Sequence, residues 1–211
     1  MIRVIVADDH NLMREGIKKI IDQEPGIEVI GEASDSFELF EILDRTDCDI
    51  LLLDISMPGK SGIEILKYLK GMKKNFKTIV LTMHPEDRFA IRSIKSGALG
   101  YLTKETAPEE LVIAIRKVYN GGKYITEKVA ELLMQDITHD PNDLPLHQLL
   151  SDREFEVLVK IASGKKINEI STELGISPAT VNTYRSRLLE KLGLKSNVEL
   201  TRFALEKKII E

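Results

Sequence analysis

The chain has 211 residues, 43% hydrophobic and 30% charged, with a formal net charge of −4, which is the composition of an ordinary globular protein. Its longest apolar runs, such as Ile50–Leu53, are too short to span a bilayer, and the strand-like start Met-Ile-Arg-Val-Ile-Val lacks the features of a signal peptide, so no membrane association and a cytoplasmic location are expected. One cysteine, Cys48, excludes an intramolecular disulfide and a thiolate cage, and the histidines His10, His84, His139 and His147 are scattered without zinc-ligand spacing.

From the N-terminus, Val-, Ile- and Leu-rich runs predict strands over Ile2–Ala7, Ile27–Ile30, Ile50–Ile55, Thr78–Thr82 and Gly100–Thr103. Helix-period segments lie between and after them, at Asn11–Gln23, Ser36–Arg45, Ser61–Met72, Glu86–Ser96 and Pro108–Asn120. Such alternation predicts an α/β domain with a doubly wound, five-stranded parallel sheet. A short helix is expected at Thr126–Gln135, followed by a linker over Asp136–Leu150, where Asp-Pro-Asn-Asp-Leu-Pro has no periodicity. The remainder shows no strand pattern and reads as an all-α unit of four helices, Asp152–Ala162, Ile167–Leu174, Pro178–Leu192 and Asn197–Lys207. Charge divides along the same line. From Gln148 onward there are 11 Lys and Arg against 9 Asp and Glu, whereas the preceding part is acidic, which suggests two domains with different partners. The expected division is 1–122, a connecting segment at 123–147, and 148–211.

In an open parallel sheet, ligands bind beyond the carboxyl ends of the strands. Strand 1 ends at Asp8 and Asp9, strand 3 at Asp54 and strand 4 at Thr82, and strand 5 is followed by Lys104. Clustered carboxylates repel unless a cation neutralises them, and hard oxygen donors suit Mg²⁺. The set therefore suits phosphoryl transfer, with Asp54 as nucleophile, Lys104 offsetting phosphoryl charge and Thr82 donating a hydrogen bond. Any one of these residues alone is ordinarily a cap, a turn residue or a solvated cation. Five together on the ends of four strands are much harder to assign to chance.

The strings Val6-Ala7-Asp8-Asp9-His10 and Asp54-Ile55-Ser56-Met57-Pro58 with Gly62, then Thr82, Tyr101 and Lys104, resemble receiver domains of the flavodoxin-like fold over roughly residues 1–122. That resemblance implies Asp54 as phosphoacceptor, Asp9 as a direct Mg²⁺ ligand, Asp8 as a partly water-mediated one, and the Ser56 backbone carbonyl as a further contact. It implies Thr82 and Tyr101 as a switch pair, the hydroxyl moving to the phosphate and the ring rotating inward. Glu105 stands where many receivers carry Pro. Ser56 and His84 occupy positions that tune dephosphorylation in such domains.

Leu174-Gly175-Ile176-Ser177-Pro178 reads as a turn between two helices, with Gly175 as a positive-φ cap, Ser177 as N-cap and Pro178 at the first helical position. Val181, Tyr184, Leu188 and Leu192 form an apolar stripe. Asn182, Thr183 and Ser186 lie opposite, flanked by Arg185, Arg187 and Lys191. Small polar residues beside basic ones suit major-groove entry. Asn182 can read a base edge and Thr183 a thymine methyl group; Arg187, Lys191, Lys195, Thr180 and Lys165 are candidates for phosphate contacts. From periodicity alone, a small interaction bundle is an equal reading. Leu150-Ser151-Asp152-Arg153-Glu154, Ile167–Ser171, Ser177–Tyr184 and Lys191-Leu192 resemble a LuxR-type helix-turn-helix over about residues 148–211. Many members carry Lys at the position of Asn182 and His at that of Tyr184, so no operator is carried over.

The whole chain thus resembles the NarL/FixJ response regulators. This implies a transcription regulator rather than an enzyme, a sensor histidine kinase as phosphodonor, double-stranded DNA as target and a homodimer on phosphorylation. The last helix is a candidate dimer surface, although Leu200, Phe203 and Ala204 serve equally well as core. Two rivals are a flavodoxin-like or phosphatase-like catalyst using the same crevice and a degenerate receiver regulated by a ligand or partner. The first lacks a glycine-rich phosphate loop after strand 1; the second is at odds with the complete Asp8, Asp9, Asp54, Thr82 and Lys104 set.

Overall fold

The computed structural model describes residues 1–72, 75–106, 108–138, 150–207 and 209–210, without the side chains of residues 87, 88, 137 and 138. The chain divides into two units, Met1–Met134 and Gln135–Glu211.

In the first unit, strands β1 (Ile2–Ala7), β2 (Ile27–Ala33), β3 (Ile50–Leu53), β4 (Lys77–Thr82) and β5 (Gly100–Thr103) alternate with helices α1 (Asn11–Asp22), α2 (Ser36–Arg45), α3 (Gly62–Gly71), α4 (Glu86–Lys95) and α5 (Pro108–Tyr119). Every pairing is parallel and the strand order is β2-β1-β3-β4-β5. The order reverses at β1, which lies beside both β2 and β3, and this opens a crevice at their carboxyl ends. Helices cover both faces of the sheet, so all of β3 is buried and its sequence runs apolar instead of alternating. On one face Val4, Val6, Ile50, Leu52, Ile79 and Leu81 pack with Ile17 and Ile21 of α1 and Leu111 and Ile115 of α5. The intervening Ile5, Leu51, Leu53 and Val80 are equally buried. Each such Ile or Leu stabilises the fold by roughly 1.5–3 kcal/mol relative to exposure.

Helix starts follow local chemistry. Asp35 caps α2 by accepting from the amides of Phe37 and Glu38, and Ser61 with Glu64 forms a capping box on α3. Two strand ends shift. Strand β2 runs to Ala33, past the expected Ile30, and its register against β1 slips between Val4 and Ile5, so that Ala7 pairs with Ala33; Gly31, a poor strand former, concealed the continuation. Strand β3 stops at Leu53, leaving Asp54 and Ile55 in the loop that turns into α3. The edge of β5 is covered by Tyr124, whose amide donates to Leu99 O at 2.9 Å and whose carbonyl accepts from Tyr101 N at 3.2 Å. This blunts a strand edge that would otherwise offer unpaired groups.

Helix α6 (Glu127–Thr138) runs three residues beyond its expected end at Gln135, into the segment expected as linker. The apolar spacing from Leu133 to Ile137 continues the helical period. The rest of the expected connection at 139–147, including His139 and His147, lies outside the described residues.

Helices α7 (Asp152–Ala162), α8 (Ile167–Leu174), α9 (Pro178–Leu192) and α10 (Asn197–Glu206) follow. Helix α7 packs on α10 and α9, and α8 packs on α9. The core takes Phe155, Leu158, Ile170, Leu174, Val181, Leu188, Leu192, Leu200, Phe203 and Ala204, which assigns the last three to packing. Tyr184, expected in the buried stripe, is only partly buried.

Candidate functional site

Strand β1 delivers Asp8 and Asp9 just past Ala7, and β3 delivers Asp54 just past Leu53. Ala7 and Leu53 are in register, so the carboxylates meet at the crevice floor. Gly62 makes this possible: a Cβ there would lie 2.6 Å from both the Asp54 carbonyl and the Ile55 Cα. Only glycine lets the start of α3 approach the Asp54 loop so closely.

Lys104 reaches in from the end of β5, its side chain 1% exposed. Its Nζ lies 2.7 Å from Asp8 Oδ2 and 2.7 Å from Asp54 Oδ2. The other oxygens are also engaged. Asp54 Oδ1 accepts from Ser56 N at 3.2 Å, and Asp8 Oδ1 accepts from His10 N at 2.9 Å. Burial pushes the Asp8 carboxyl above its usual range, aided by the negative charge of Asp54 and opposed by Lys104. Burial works against the Lys104 ammonium, but Asp54 and Asp8 outweigh it and hold the ammonium above its usual value. A single ammonium thus faces two buried carboxylates.

Asp9 and His10 complete the cluster. Asp9 Oδ1 is shut off from solvent and accepts no hydrogen bond among the described residues. His10 Nδ1 lies 2.8 Å from that oxygen and 3.3 Å from Asp8 Oδ1. Single donor atoms from Asp8, Asp9, His10 and Asp54 fall within 4.8 Å of one another. The excess of oxygen donors and the unsatisfied Asp9 oxygen fit a hard divalent cation. Sequence spacing had set His10 among the scattered histidines; its position next to Asp8 and Asp9 was the signal that it joins them.

The loops on either side of Asp54 are tied together. Ser56 Oγ and His84 Nε2 lie 2.8 Å apart, and the His84 ring packs on Phe89 of α4 at 4.5 Å between centroids. Thr82, fully buried, accepts from His84 N at 3.4 Å. Tyr101 is also fully buried, and its hydroxyl donates to the His84 carbonyl at 2.9 Å. The ring is therefore in the inward position, and His84 links β3, β4, α4 and β5.

In the second unit, Gly175 caps α8 with φ 62° and Ser177 accepts from Thr180 N before Pro178 starts α9. Asn182, Thr183, Ser186 and Arg187 are exposed, while Val181, Leu188 and Leu192 are buried. The Thr183 hydroxyl donates to Ala179 O at 3.0 Å, and the Thr180 hydroxyl lies 2.8 Å from Ser177 Oγ. Three expected cations have protein partners: Arg185 donates to Asn197, Lys165 pairs with Glu173, and Lys191 Nζ lies 2.7 Å from Glu154. Lys195 is exposed. Burial pushes the Glu154 carboxyl up, but hydrogen bonds from Lys191 and Ser151 outweigh it and hold it below its usual value. Sequence reasoning placed Lys191 on the basic flank and missed this partner, because Glu154 is 37 positions away.

Residues 4–116 match the response regulator receiver domain family, and residues 148–204 match the bacterial regulatory proteins of the luxR family. The chain is 39% identical over 206 residues to the response regulator UvrY of Escherichia coli (strain K12), covering 97% of this chain and 94% of that protein. It is 37% identical over 212 residues to the response regulator GacA of Pseudomonas aeruginosa, covering 100% and 99%. RcsB from Salmonella enterica serovar Typhimurium, solved bound to promoter rprA in the presence of the phosphomimetic BeF3-, superposes with a TM-score of 0.66 at 29% identity over 96% of this chain and 97% of that one.

Proposed function

The chain belongs to the NarL/FixJ response regulators, which join a receiver domain to a luxR-family DNA-binding domain, and from that premise we propose that phosphorylation of Asp54 controls promoter binding by the second unit. It is a phosphorylation-dependent transcription regulator. A sensor histidine kinase is its phosphodonor, double-stranded DNA its target, and the phosphorylated form a homodimer. Residues 1–122 act as the receiver, 123–147 as the connection and 148–211 as the reader. The protein works in the cytoplasm; among the described residues no helix is long and apolar enough to cross a membrane.

One observation carries the reading. The Asp54 carboxylate is 3% exposed and shares the Lys104 ammonium with Asp8, at the switch point of a parallel sheet. An Asp54 oxygen forms the bond to phosphorus as the donor's bond to phosphorus breaks. Lys104 then turns its charge to the phosphoryl oxygens, and the Ser56 amide, already on Asp54 Oδ1, stays at the new acyl phosphate. Asp8, Asp9, Asp54 and the Ser56 carbonyl would hold Mg²⁺, which supplies charge neutralisation and orientation for the phosphoryl oxygens. Thr82 turns its hydroxyl toward the phosphoryl group, and the inward Tyr101 keeps the His84 loop in the position this requires. The switch is a population shift driven by new charge and new acceptors at one point.

In the reader, α9 enters the major groove, with Asn182 and Thr183 on base edges. Arg187 and Lys195 lie on phosphates, with Thr180, Arg185, Ser186, Lys165 and Lys191 at the flanks. Protein mass and sedimentation, recorded with Mg²⁺ and acetyl phosphate for wild type and Asp54→Ala, test the reading. The expected result is an adduct of about 80 Da, one phosphoryl unit, that requires Asp54 and shifts the monomer–dimer balance. An unmodified wild type would overturn it and leave the first unit a scaffold.

A further inference from the structure

We propose that His10 is an additional ligand of the acidic crevice and turns it toward first-row divalent cations that accept nitrogen, such as Mn²⁺, Co²⁺ and Ni²⁺, in preference to Mg²⁺. This rests on reading the crevice as a cation site.

His10 occupies the N-cap of α1, where its side chain makes no capping hydrogen bond. Histidine is not a favoured N-cap residue, so helix initiation does not explain the ring's position. The ring instead turns back onto the carboxylates, with Nδ1 at 2.8 Å from Asp9 Oδ1 and 3.3 Å from Asp8 Oδ1. It is 65% exposed, so it reorients at little packing cost.

Lys104 occupies the Oδ2 atoms of Asp8 and Asp54. Around the Asp8 Oδ1 atom lie the imidazole and Asp9 Oδ1, which is shielded from solvent and accepts no hydrogen bond among the described residues. A cation seated among these groups satisfies Asp9 and takes a nitrogen from His10 without displacing Lys104. Magnesium gains little from an imidazole because it prefers oxygen. Affinity of a mixed nitrogen–oxygen set rises from Mn²⁺ through Co²⁺ to Ni²⁺.

Two measurements on the full-length protein test this. Pulsed electron paramagnetic resonance with Mn²⁺ reports a directly bound imidazole as nitrogen modulation, and calorimetry compares Ni²⁺ with Mg²⁺. Wild type and His84→Ala are expected to show the modulation and His10→Ala to lose it. His10→Ala should weaken Ni²⁺ by about tenfold or more, because even an outer-shell partner is worth about 10–100-fold, while Mg²⁺ changes less than about twofold. Excess Mg²⁺ should displace the Mn²⁺, and Asp9→Asn should weaken both cations. Modulation that persists in His10→Ala, or equal weakening of Ni²⁺ and Mg²⁺, would overturn the role of His10. Mn²⁺ binding to wild type without nitrogen modulation would overturn it too and leave the cation site intact. Failure of wild type to bind Mg²⁺, Mn²⁺ or Ni²⁺ would overturn the underlying reading as well.

Discussion

At Asp8 the two carboxyl oxygens face different partners, Lys104 on one side and the His10 amide on the other. Even so, its pKa is raised, because burial and Asp54 outweigh both. The folded state therefore holds this proton more tightly than the unfolded chain. The resulting stability is present below the unfolded value near 3.8 and is lost as pH rises through the folded value. At neutral pH the ionised group is destabilising, as function-bearing groups commonly are. Asp8→Asn is expected to raise stability in chelator by on the order of 1 kcal/mol and to abolish the gain on adding Mg²⁺. Urea unfolding at pH 7 with and without Mg²⁺ checks both parts; a destabilised variant in chelator would refute the assignment. At Tyr101, Phe keeps the buried ring but removes the donor to His84. Tyr101→Phe should cost about 1 kcal/mol and speed amide exchange in residues 82–84, measured by mass spectrometry.

Helix α9 carries two kinds of cation that look alike in sequence. Arg187 is exposed, whereas Lys191 meets Glu154, which is 2% exposed and closes the capping box of α7. Removing Lys191 leaves a buried carboxylate without its ammonium. Because Lys191 is 42% exposed, Lys191→Met should destabilise the second unit by only about 1–2 kcal/mol. Glu154 has a lowered pKa, so its contribution is present above its unfolded value near 4.5 and is lost as pH falls through the folded value. The loss in Lys191→Met should accordingly be larger at pH 7 than at acid pH, as thermal melts would show. Arg187→Ala should leave melting unchanged and reduce the slope of log affinity against log salt by about 0.9, one phosphate contact. If Lys191→Met changes that slope and not the melt, the two roles are reversed.

For the molecule as a whole, the proposed switch at Asp54 acts on DNA through a dimer. Helix α10 packs Leu200, Phe203 and Ala204 inward and leaves Val198 at 78% and Leu205 at 48% exposure. These two lie seven positions apart on one face, as a helix presents to a partner. Paired readers gain from effective concentration, often by about 10²–10⁴. Val198→Glu should therefore weaken binding to a paired half-site promoter by at least about tenfold, with little change at a single half-site or in melting. Gel shifts on the two DNAs would decide it, and equal losses on both would remove α10 from the dimer contact.

The one-dimensional pattern determined the parallel sheet, the helical second unit and the placement of Asp8, Asp9, Asp54, Thr82 and Lys104 at strand ends. Apolar periodicity and local caps such as Ser61, Ser151 and Ser177 act within a few residues, and for that reason they can be read directly. Tertiary structure decided which oxygen faces which partner. Lys104 spans Asp8 and Asp54, Ser56 meets His84 and Lys191 pairs with Glu154. It also separated the inward from the outward face of α10 and set the slipped register of β2 against β1. Such pairings join positions tens of residues apart, and their energies arise only when folding removes water from both partners.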